Sequence, residues 1–306
     1  MEFLQRIPVR KTLVFGLVSS SIIFALLKTL VNAEEFYYVI RDISWSYFLL
    51  AFAMMVPITF LGAVRWFLVL RAAGFNVSFR KVFKIVASGI SLSLVPGRLG
   101  DLARSYPLRN SIPVSQSVGT IILEKIIDVN ILMVFSGIGL SILGNYGVSV
   151  LILSLAIGTI PVLQVLNFIS EKMSLKNPLI NKAHEAISIL NRVKQRKTVL
   201  FAAVLTSCAN WTVSMFQVYW LFKTVGSVVP FSAVFAFHPL STFAGLIPIS
   251  IAGIGTRDSA IIYFFRNFVA PEQSLAVGIL YGVQAYWIFG ILGIPLLYYF
   301  FRQNKY

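Results

Sequence analysis

Residues 91–110, SLSLVPGRLGDLARSYPLRN, place helix breakers and charges inside a strongly apolar chain. Pro96 lacks a backbone N–H donor, and Gly97 and Gly100 weaken the helical preference of the segment. The stretch also carries four ionisable side chains, which are Arg98, Asp101, Arg104 and Arg109. Unpaired backbone groups and charges are costly in lipid, so such a segment must face protein or a wet cavity. We therefore predict the tip of a re-entrant or broken helix that turns at residues 96–100.

A second copy of this pattern lies about 157 residues later, in LIPISIAGIGTRDSAIIYFFRN at residues 246–267. It again contains breakers, at Pro248, Gly253 and Gly255, beside an Arg-Asp pair. Chance supplies apolar matches more easily than a shared Asp, an Arg-Asn pair and a Gln-Ser pair in one register. The self-similarity predicts two related halves. The ungapped matches are Ser93 with Ser250, Asp101 with Asp258, Ala103 with Ala260, Arg109–Asn110 with Arg266–Asn267, Gln116–Ser117 with Gln273–Ser274 and Ile122–Leu123 with Ile279–Leu280.

The composition indicates a helical membrane protein and excludes a soluble domain. Hydrophobic residues make up 58% of the 306 residues, charged residues 12%, and the mean hydropathy is +0.83. The 26 Lys and Arg exceed the 11 Asp and Glu, for a net charge of +15. In a membrane protein this excess indicates basic cytoplasmic loops and attraction to anionic lipid rather than nucleic-acid binding. Cys208 is the single cysteine, which excludes an internal disulfide and a cysteine-cluster metal site.

The apolar runs predict six membrane spans and two shorter dips. The dips cover residues 82–95 and 231–249, are too short to cross the bilayer, and return at 102–108 and 259–268. Residues 171–197 carry seven Lys or Arg against two Glu and predict a cytoplasmic connector helix. A cleaved signal peptide is the alternative for the first run. The predicted spans are residues 12–30, 44–70, 115–143, 148–168, 198–222 and 274–301.

The basic loops predict the orientation of the spans. Counting Lys and Arg by loop places both termini in the cytoplasm, with Arg65 near the cytoplasmic end of the second span. Three full spans separate the two broken segments, so the halves 1–143 and 144–306 have opposite orientations. The predicted fold is one all-α polytopic domain, residues 1–306, with about six transmembrane helices and two re-entrant broken-helix elements in a three-plus-three inverted repeat. We expect it in the cell membrane.

Interrupted segments at matching places in two halves are typical of transporters, in which the substrate binds where the segments meet. Broken helices expose N-terminal amides that attract anions, and Arg98, Arg104 and Arg257 add planar donors suited to phosphate or carboxylate. The alternative is structural pairing of Asp101 and Asp258 with neighbouring arginines. The candidate substrate-binding residues are Arg98, Asp101, Arg104, Glu124, Asp128, Arg257 and Asp258.

Glu124 and Asp128 lie in the third predicted span, four residues apart and therefore on one helix face. An acid in a span is expensive unless it is paired or solvated. Glu124 is accordingly a counter-charge to Arg98 or Arg104, a protonatable group that couples transport to protons, or a solvated residue at the edge. Other polar residues of the apolar segments indicate hydrogen bonds between helices rather than a site: Asn210, Gln217, His238 and Gln284.

The segments PGRLGDLARSYPLRN, TIILEKIIDV and LIPISIAGIGTRDSA resemble the transmembrane region of lysylphosphatidylglycerol synthases, which also occurs alone as a flippase-like membrane protein family. The resemblance covers essentially the whole chain. It implies movement of lipid between leaflets, without the synthase activity of a separate soluble domain. The second motif of the family often carries Arg-Glu, whereas this chain has the shorter Asp258. The matching residues are Pro96, Gly97, Arg98, Gly100, Asp101, Arg104 and Glu124, then Pro248, Gly253, Gly255, Arg257 and Asp258.

These observations together predict a non-enzymatic lipid translocase without metal or cofactor. Its substrate is an anionic or zwitterionic phospholipid or a polyprenyl-phosphate-linked lipid, with the headgroup in a charged cavity between the re-entrant helices. Partners are membrane lipids and a lipid- or glycan-synthesising enzyme on another chain, with no nucleic acid; oligomerisation stays open. Alternatives are a proton-coupled carrier of a small anion, a membrane scaffold for a synthase, and an intramembrane enzyme that uses Glu124 and Asp128 with a metal.

Overall fold

The protein is all-helical in a computed structural model that describes residues 9–89, 104–172, 185, 188–246, 250, 253–288, 290–293 and 295. Helix accounts for 83% of the structure, and the described residues contain no strand. The principal helices are α1 Val9–Thr29, α2 Ala33–Arg41, α3 Trp45–Ala53, α4 Met55–Ala72, α5 Phe79–Gly89, α6 Val114–Ile142, α7 Tyr146–Lys172, α8 Lys197–Thr224, α9 Phe231–Leu246, α10 Thr256–Phe265 and α11 Pro271–Gly282.

Three helical stretches in the described part are long and apolar enough to cross a membrane: Trp45–Ala72, Lys197–Thr224 and Pro271–Gly293. The first joins α3 and α4 through a break at Met54, because Pro57 has no N–H to donate to the carbonyl of Ala53. Helices α6 and α7, with 29 and 27 residues, also exceed the roughly 20 residues that span the hydrocarbon core. The chain is therefore a multi-pass membrane protein.

The second interrupted segment forms a helical hairpin of α9 and α10. The Phe237 ring lies 5.9 Å from the ring of Phe264, while Gly245 lies against Gly253 near the other end, so the helices run antiparallel. Gly253 and Gly255 adopt φ values of 77° and 89°, which non-glycine residues rarely adopt. The predicted chain reversal at these glycines is confirmed. Pro248 lies outside the described residues.

The first interrupted segment begins with α5 and returns at Arg104. A Cβ atom on Gly89 would lie 2.9 Å from Cγ of Arg104. The end of α5 and the start of the return are therefore close together. The intervening part carries five predicted turn and site residues that lie outside the described residues: Pro96, Gly97, Arg98, Gly100 and Asp101. The predicted turn there stays a prediction.

The two halves repeat several local features in the predicted register. The Arg109 guanidinium carbon lies 4.0 Å from the centre of the Tyr106 ring, and that of Arg266 lies 4.3 Å from the Tyr263 ring. In the described part, Ser117 and Ser274 are both buried with a hydroxyl that has no hydrogen-bond partner. These matches, which lie next to the interrupted segments, give the sequence repeat a structural counterpart.

Two apolar clusters pack the helices, the first within residues 1–143 and the second mainly within residues 144–306, where Ala51 of α3 joins it. In the first, Trp66, Leu70, Ile85, Leu108 and Ile121 pack together from α4, α5, α6 and the loop between them. In the second half, residues of α8 to α11 pack together, among them Leu221, Phe222, Phe265, Ala276 and Val277. The clusters hold the helices around a space between the halves.

Candidate functional site

A cavity of about 1080 Å³ lies between α4, α6, α7, α8, α9 and the end of α11. Its lining is largely apolar, with side chains such as Met55, Ile58, Val86 and Leu132. Among the described lining residues, the Lys, Arg, Asp and Glu side chains come from α4, α6 and the return of the first interrupted segment: Arg65, Arg104, Glu124, Lys125 and Asp128. The cavity therefore combines an oily interior with a charged cluster.

Arg65 bridges the two acids on α6. Its Nη2 lies 2.6 Å from Oε1 of Glu124, and its Nη1 lies 2.7 Å from Oδ1 of Asp128. The Nε group also donates to Oε1 of Glu124, at 3.2 Å. One guanidinium reaches both carboxylates because residues four apart share a helix face. The bridge fixes the rotation of α6 relative to α4.

Arg104 contacts the other oxygen of Glu124. Its Nη2 lies 3.3 Å from Oε2, which is longer than the contacts that Arg65 makes. The guanidinium carbon lies 5.1 Å from the centre of the Trp66 ring, within the range of a cation–π interaction. Trp66 is itself held by donation from Nε1 to Oγ1 of Thr120, at 3.1 Å. The ring therefore positions Arg104 at the cavity wall.

Helix α8 completes the environment of Asp128. Oδ1 accepts hydrogen bonds from Oγ of Ser207, at 2.7 Å, and from Nε1 of Trp211, at 3.0 Å. With Nη1 of Arg65, these donors surround one oxygen of a carboxylate that is 4% exposed. A buried charge with several hydrogen bonds is stable in place, whereas removing one partner leaves it uncompensated.

The charges of the cluster do not cancel. Among the described residues of the cavity wall, Arg65, Arg104 and Lys125 are positive and Glu124 and Asp128 are negative. The four buried charges balance, and the half-buried Lys125 gives the cluster an excess of one positive charge. The arrangement is suited to attract an anion.

Arg257 and Asp258 form a separate pair. Nη2 of Arg257 donates to Oδ1 of Asp258 and to the carbonyl of Gly278, both at 3.0 Å. The other oxygen of Asp258 accepts the N–H of Gly255 at 2.9 Å, which caps the first turn of α10. Asp258 is thus engaged in structural pairing, the alternative that its sequence position left open.

The structure brings together three of the predicted site residues, Arg104, Glu124 and Asp128. The expected pairing of Glu124 with Arg104 is confirmed, while any pairing with Arg98 lies outside the described residues. Sequence reasoning missed Arg65 as a member of the site. An arginine within the apolar stretch Trp45–Ala72 was the available signal, but it fits a cytoplasmic helix end equally well.

Comparison with known proteins agrees with the membrane fold. The family model described as the lysylphosphatidylglycerol synthase TM region matches residues 13–293. A UPF0104 membrane protein of Methanocaldococcus jannaschii is 21% identical over 95% of each chain. Similar proteins of Methanothermobacter thermautotrophicus and Pyrococcus horikoshii are 22% and 26% identical, over 83% and 81% of this chain and 85% of each relative. Since the family model covers most of its length, the chain belongs to the lysylphosphatidylglycerol synthase transmembrane-region family.

Proposed function

We propose that this protein is a lipid translocase that moves a phosphate-bearing lipid between the leaflets of the membrane. The observation that carries the proposal is a cavity with an apolar lining and a charged cluster, in which the buried ion pairs of Arg65, Arg104, Glu124 and Asp128 are joined by the half-buried Lys125. An amphiphile matches both properties, because its tails are compatible with the apolar wall and its phosphate with the arginines. Candidate substrates are anionic or zwitterionic phospholipids and polyprenyl-phosphate-linked lipids.

The cavity wall includes apolar side chains that are well exposed. Ile122 on α6 is 46% exposed and Leu155 on α7 is 54% exposed, and both line the cavity. A Cβ atom on nearby Gly158 would meet nothing within 4 Å. These features support a lateral route by which lipid tails stay in the bilayer while the headgroup enters. A water-soluble anion does not require an apolar lateral route of this kind.

Within the cluster, we assign different roles to the two arginines. The contacts of Arg65 with Glu124 and Asp128 are short, so Arg65 holds the acids in place. The contact of Arg104 with Glu124 is longer, at 3.3 Å, and therefore weaker. A ligand can replace it more easily than it can replace the contacts of Arg65. A phosphate oxygen replaces Glu124 at Arg104, and Glu124 keeps its bonds to Arg65.

The proposal includes the finer architecture predicted from the sequence. Six spans and two re-entrant hairpins form two halves of opposite orientation, with both termini in the cytoplasm. Alternating access of the cavity to the two leaflets follows from rocking of one half against the other. The repeated local features beside the interrupted segments support this arrangement.

A leaflet-accessibility assay tests the proposal. Purified protein is reconstituted in liposomes that contain fluorescent phospholipid or fluorescent polyprenyl phosphate, and dithionite bleaches the probe in the outer leaflet. We expect protein-dependent bleaching of the inner-leaflet probe, which the Arg104→Gln variant loses.

Arg109→Gln is the matched control, because Arg109 lies nearby but outside the cavity wall. It should move lipid at the normal rate. Failure of the folded wild-type protein to move either lipid would overturn the proposal and favour a carrier of a small anion, which uptake of a soluble anion into the same vesicles would reveal.

A further inference from the structure

Arg257 keeps a set of buried donors that the described residues do not satisfy. The side chain is 4% exposed, and its Nε and Nη1 atoms have no hydrogen-bond partner. Nε carries one N–H and Nη1 carries two, so most N–H groups of this guanidinium lack an acceptor. Unmade hydrogen bonds of a buried charged group are costly. Such a group is suited to an oxyanion that comes from outside the chain.

These donors lie behind one wall of the cavity. The guanidinium carbon is 4.5 Å from the centre of the Tyr281 ring and 5.7 Å from that of Tyr286, and both tyrosines line the cavity. Gly282 lies next to Tyr281 and has no side chain. A Cβ atom at this position would lie 3.4 Å from Nη2 of Arg257, so the glycine leaves room for the guanidinium. The aromatic rings therefore separate the guanidinium from the cavity.

Arg104 and Arg257 are not equivalent positions of the internal repeat, which pairs Arg104 with Ile261 and Gly100 with Arg257, but the two arginines contact equivalent positions. In the register that pairs Ser117 with Ser274, Glu124 of the first half corresponds to Tyr281 of the second. Arg104 contacts a carboxylate at this position, whereas Arg257 faces an aromatic ring. Asp258 occupies only Nη2, so a further oxyanion is the chemical counterpart of Glu124.

Tyr286 lies in a segment with unusual backbone geometry. Residues Val283–Ile288 form a π-helix directly after α11. Such turns are rare and are frequent at functional sites. A shift of this segment toward α-helical geometry changes the direction of its side chains, including the Tyr286 ring that covers Arg257.

We propose that Arg257 is a second oxyanion-binding position of the cavity, which takes phosphate or diphosphate oxygens when the Tyr286 ring moves aside. In combination with the proposed function, the headgroup passes between Arg104 in the first half and Arg257 in the second. This hand-over rests on lipid transport, but oxyanion binding at Arg257 does not. The two parts can therefore be tested separately.

The binding test uses thermal unfolding of purified full-length protein in detergent, titrated with inorganic phosphate and, separately, with dihexanoyl phosphatidic acid. A ligand that binds the folded state raises Tm with its concentration. Arg257→Lys keeps a charge for Asp258 but removes the planar fork of donors. We expect it to weaken the binding of both probes by about tenfold. Arg266→Lys is the matched control and should bind both as the wild type does.

The wall is tested with Tyr286→Ala, which should tighten phosphate binding, whereas Tyr286→Phe should leave it unchanged. Unchanged binding of both probes by folded Arg257→Lys would overturn the site, and would mean that solvent alone satisfies the donors. A response to phosphatidic acid but not to inorganic phosphate would identify a lipid headgroup as the source of the oxyanion.

The lipid assay separates this inference from the proposed function. Loss of transport in Arg257→Lys, together with loss of binding, supports the hand-over. If the wild type moves lipid and Arg257→Lys binds and transports normally, the second position fails and the proposed function stands. If the wild type moves no lipid, the function fails, and the phosphate titration still decides the site.

Discussion

The two halves of the cavity use the same helix positions for different chemistry. Arg65 and Gln217 occupy the same position along two 28-residue helices, Trp45–Ala72 and Lys197–Thr224. Arg65 pairs with acids on α6, whereas Nε2 of Gln217 donates to Oε1 of Gln284 at 3.1 Å. The first half thus presents ions where the second presents amides. The Lys, Arg, Asp and Glu residues of the described cavity wall therefore all come from the first half.

This asymmetry also distinguishes the two arginines of the interrupted segments. Arg104 has an acid of its own chain at the cavity wall, while Arg257 lies behind aromatic rings with donors left over. A repeat therefore preserves the scaffold and lets the polar groups diverge. Four tests, the last of which uses a pair of variants, break or sharpen the comparison, in decreasing order of expected effect.

Arg65→Gln places at position 65 the residue type that the second half has at Gln217. We expect the free energy of unfolding to fall by about 3–5 kcal/mol, because Glu124 and Asp128 lose a buried partner. Denaturant unfolding in detergent measures the loss. The triple variant Arg65→Gln, Glu124→Gln, Asp128→Asn should recover most of it, since no carboxylate is left uncompensated. An Arg65→Gln variant as stable as the wild type would show that the bridge does not hold α4 and α6 together.

Gly278→Ala tests the Arg257–Asp258 pair. The added Cβ atom would lie 2.6 Å from Oδ1 of Asp258, whose two oxygens are both engaged, so the carboxylate must shift. We expect a loss of about 1–3 kcal/mol in thermal or denaturant unfolding. Gly147→Ala is the control, because its Cβ atom meets nothing within 4 Å. Equal stability of the two variants would mean that the pair tolerates displacement.

Gln217→Leu tests whether the hydrogen bond between Gln217 and Gln284 contributes less to stability than the ion pairs of Arg65. The carbonyl of Gln284 loses its donor, while its Nε2 still donates to the Phe48 carbonyl at 3.0 Å. We expect a loss of about 1 kcal/mol in the free energy of unfolding. Lipid movement should stay normal, because no charge is removed. A loss as large as that of Arg65→Gln would refute the contrast between the halves.

Arg109→Gln and Arg266→Gln remove the repeated cation–π contacts, one from each half. Both tyrosines are partly exposed, so each substitution should lower stability by less than about 1 kcal/mol. Parallel denaturation curves of the two variants provide the comparison. Similar small losses would support equivalent positions in the two halves, whereas clearly unequal losses would count against it.

Much of the fold was accessible from local sequence. The predicted spans 44–70 and 198–222 fall on two of the stretches that are long and apolar enough to cross a membrane, and 274–301 overlaps the third up to Gly293, with most of its remainder outside the described residues. The chain reversal at Gly253 and Gly255 was also predicted, because breakers act over a few residues. The predicted return helix 259–268 is Thr256–Phe265 in the structure, since Asp258 caps the N–H of Gly255 and starts the helix earlier.

The site was only partly accessible. Glu124 and Asp128 share a helix face by their spacing, and the interrupted segments supplied Arg104 and Arg257. Nothing local connects Arg65 with Glu124, 59 residues away. The contact of Arg257 with the rings of Tyr281 and Tyr286 depends on helix packing and on a π-helix that no sequence pattern predicted.

The sequence by itself determined the membrane class, the helix-forming runs, the interruptions and the repeat, because these follow from hydrophobic length and from backbone preferences of neighbouring residues. The tertiary structure decided which arginine meets which acid and which one is kept behind aromatic rings. Those pairings depend on the rotation and depth of helices packed around the cavity. Several helix rotations satisfy one apolar pattern, and only the packed arrangement selects among them.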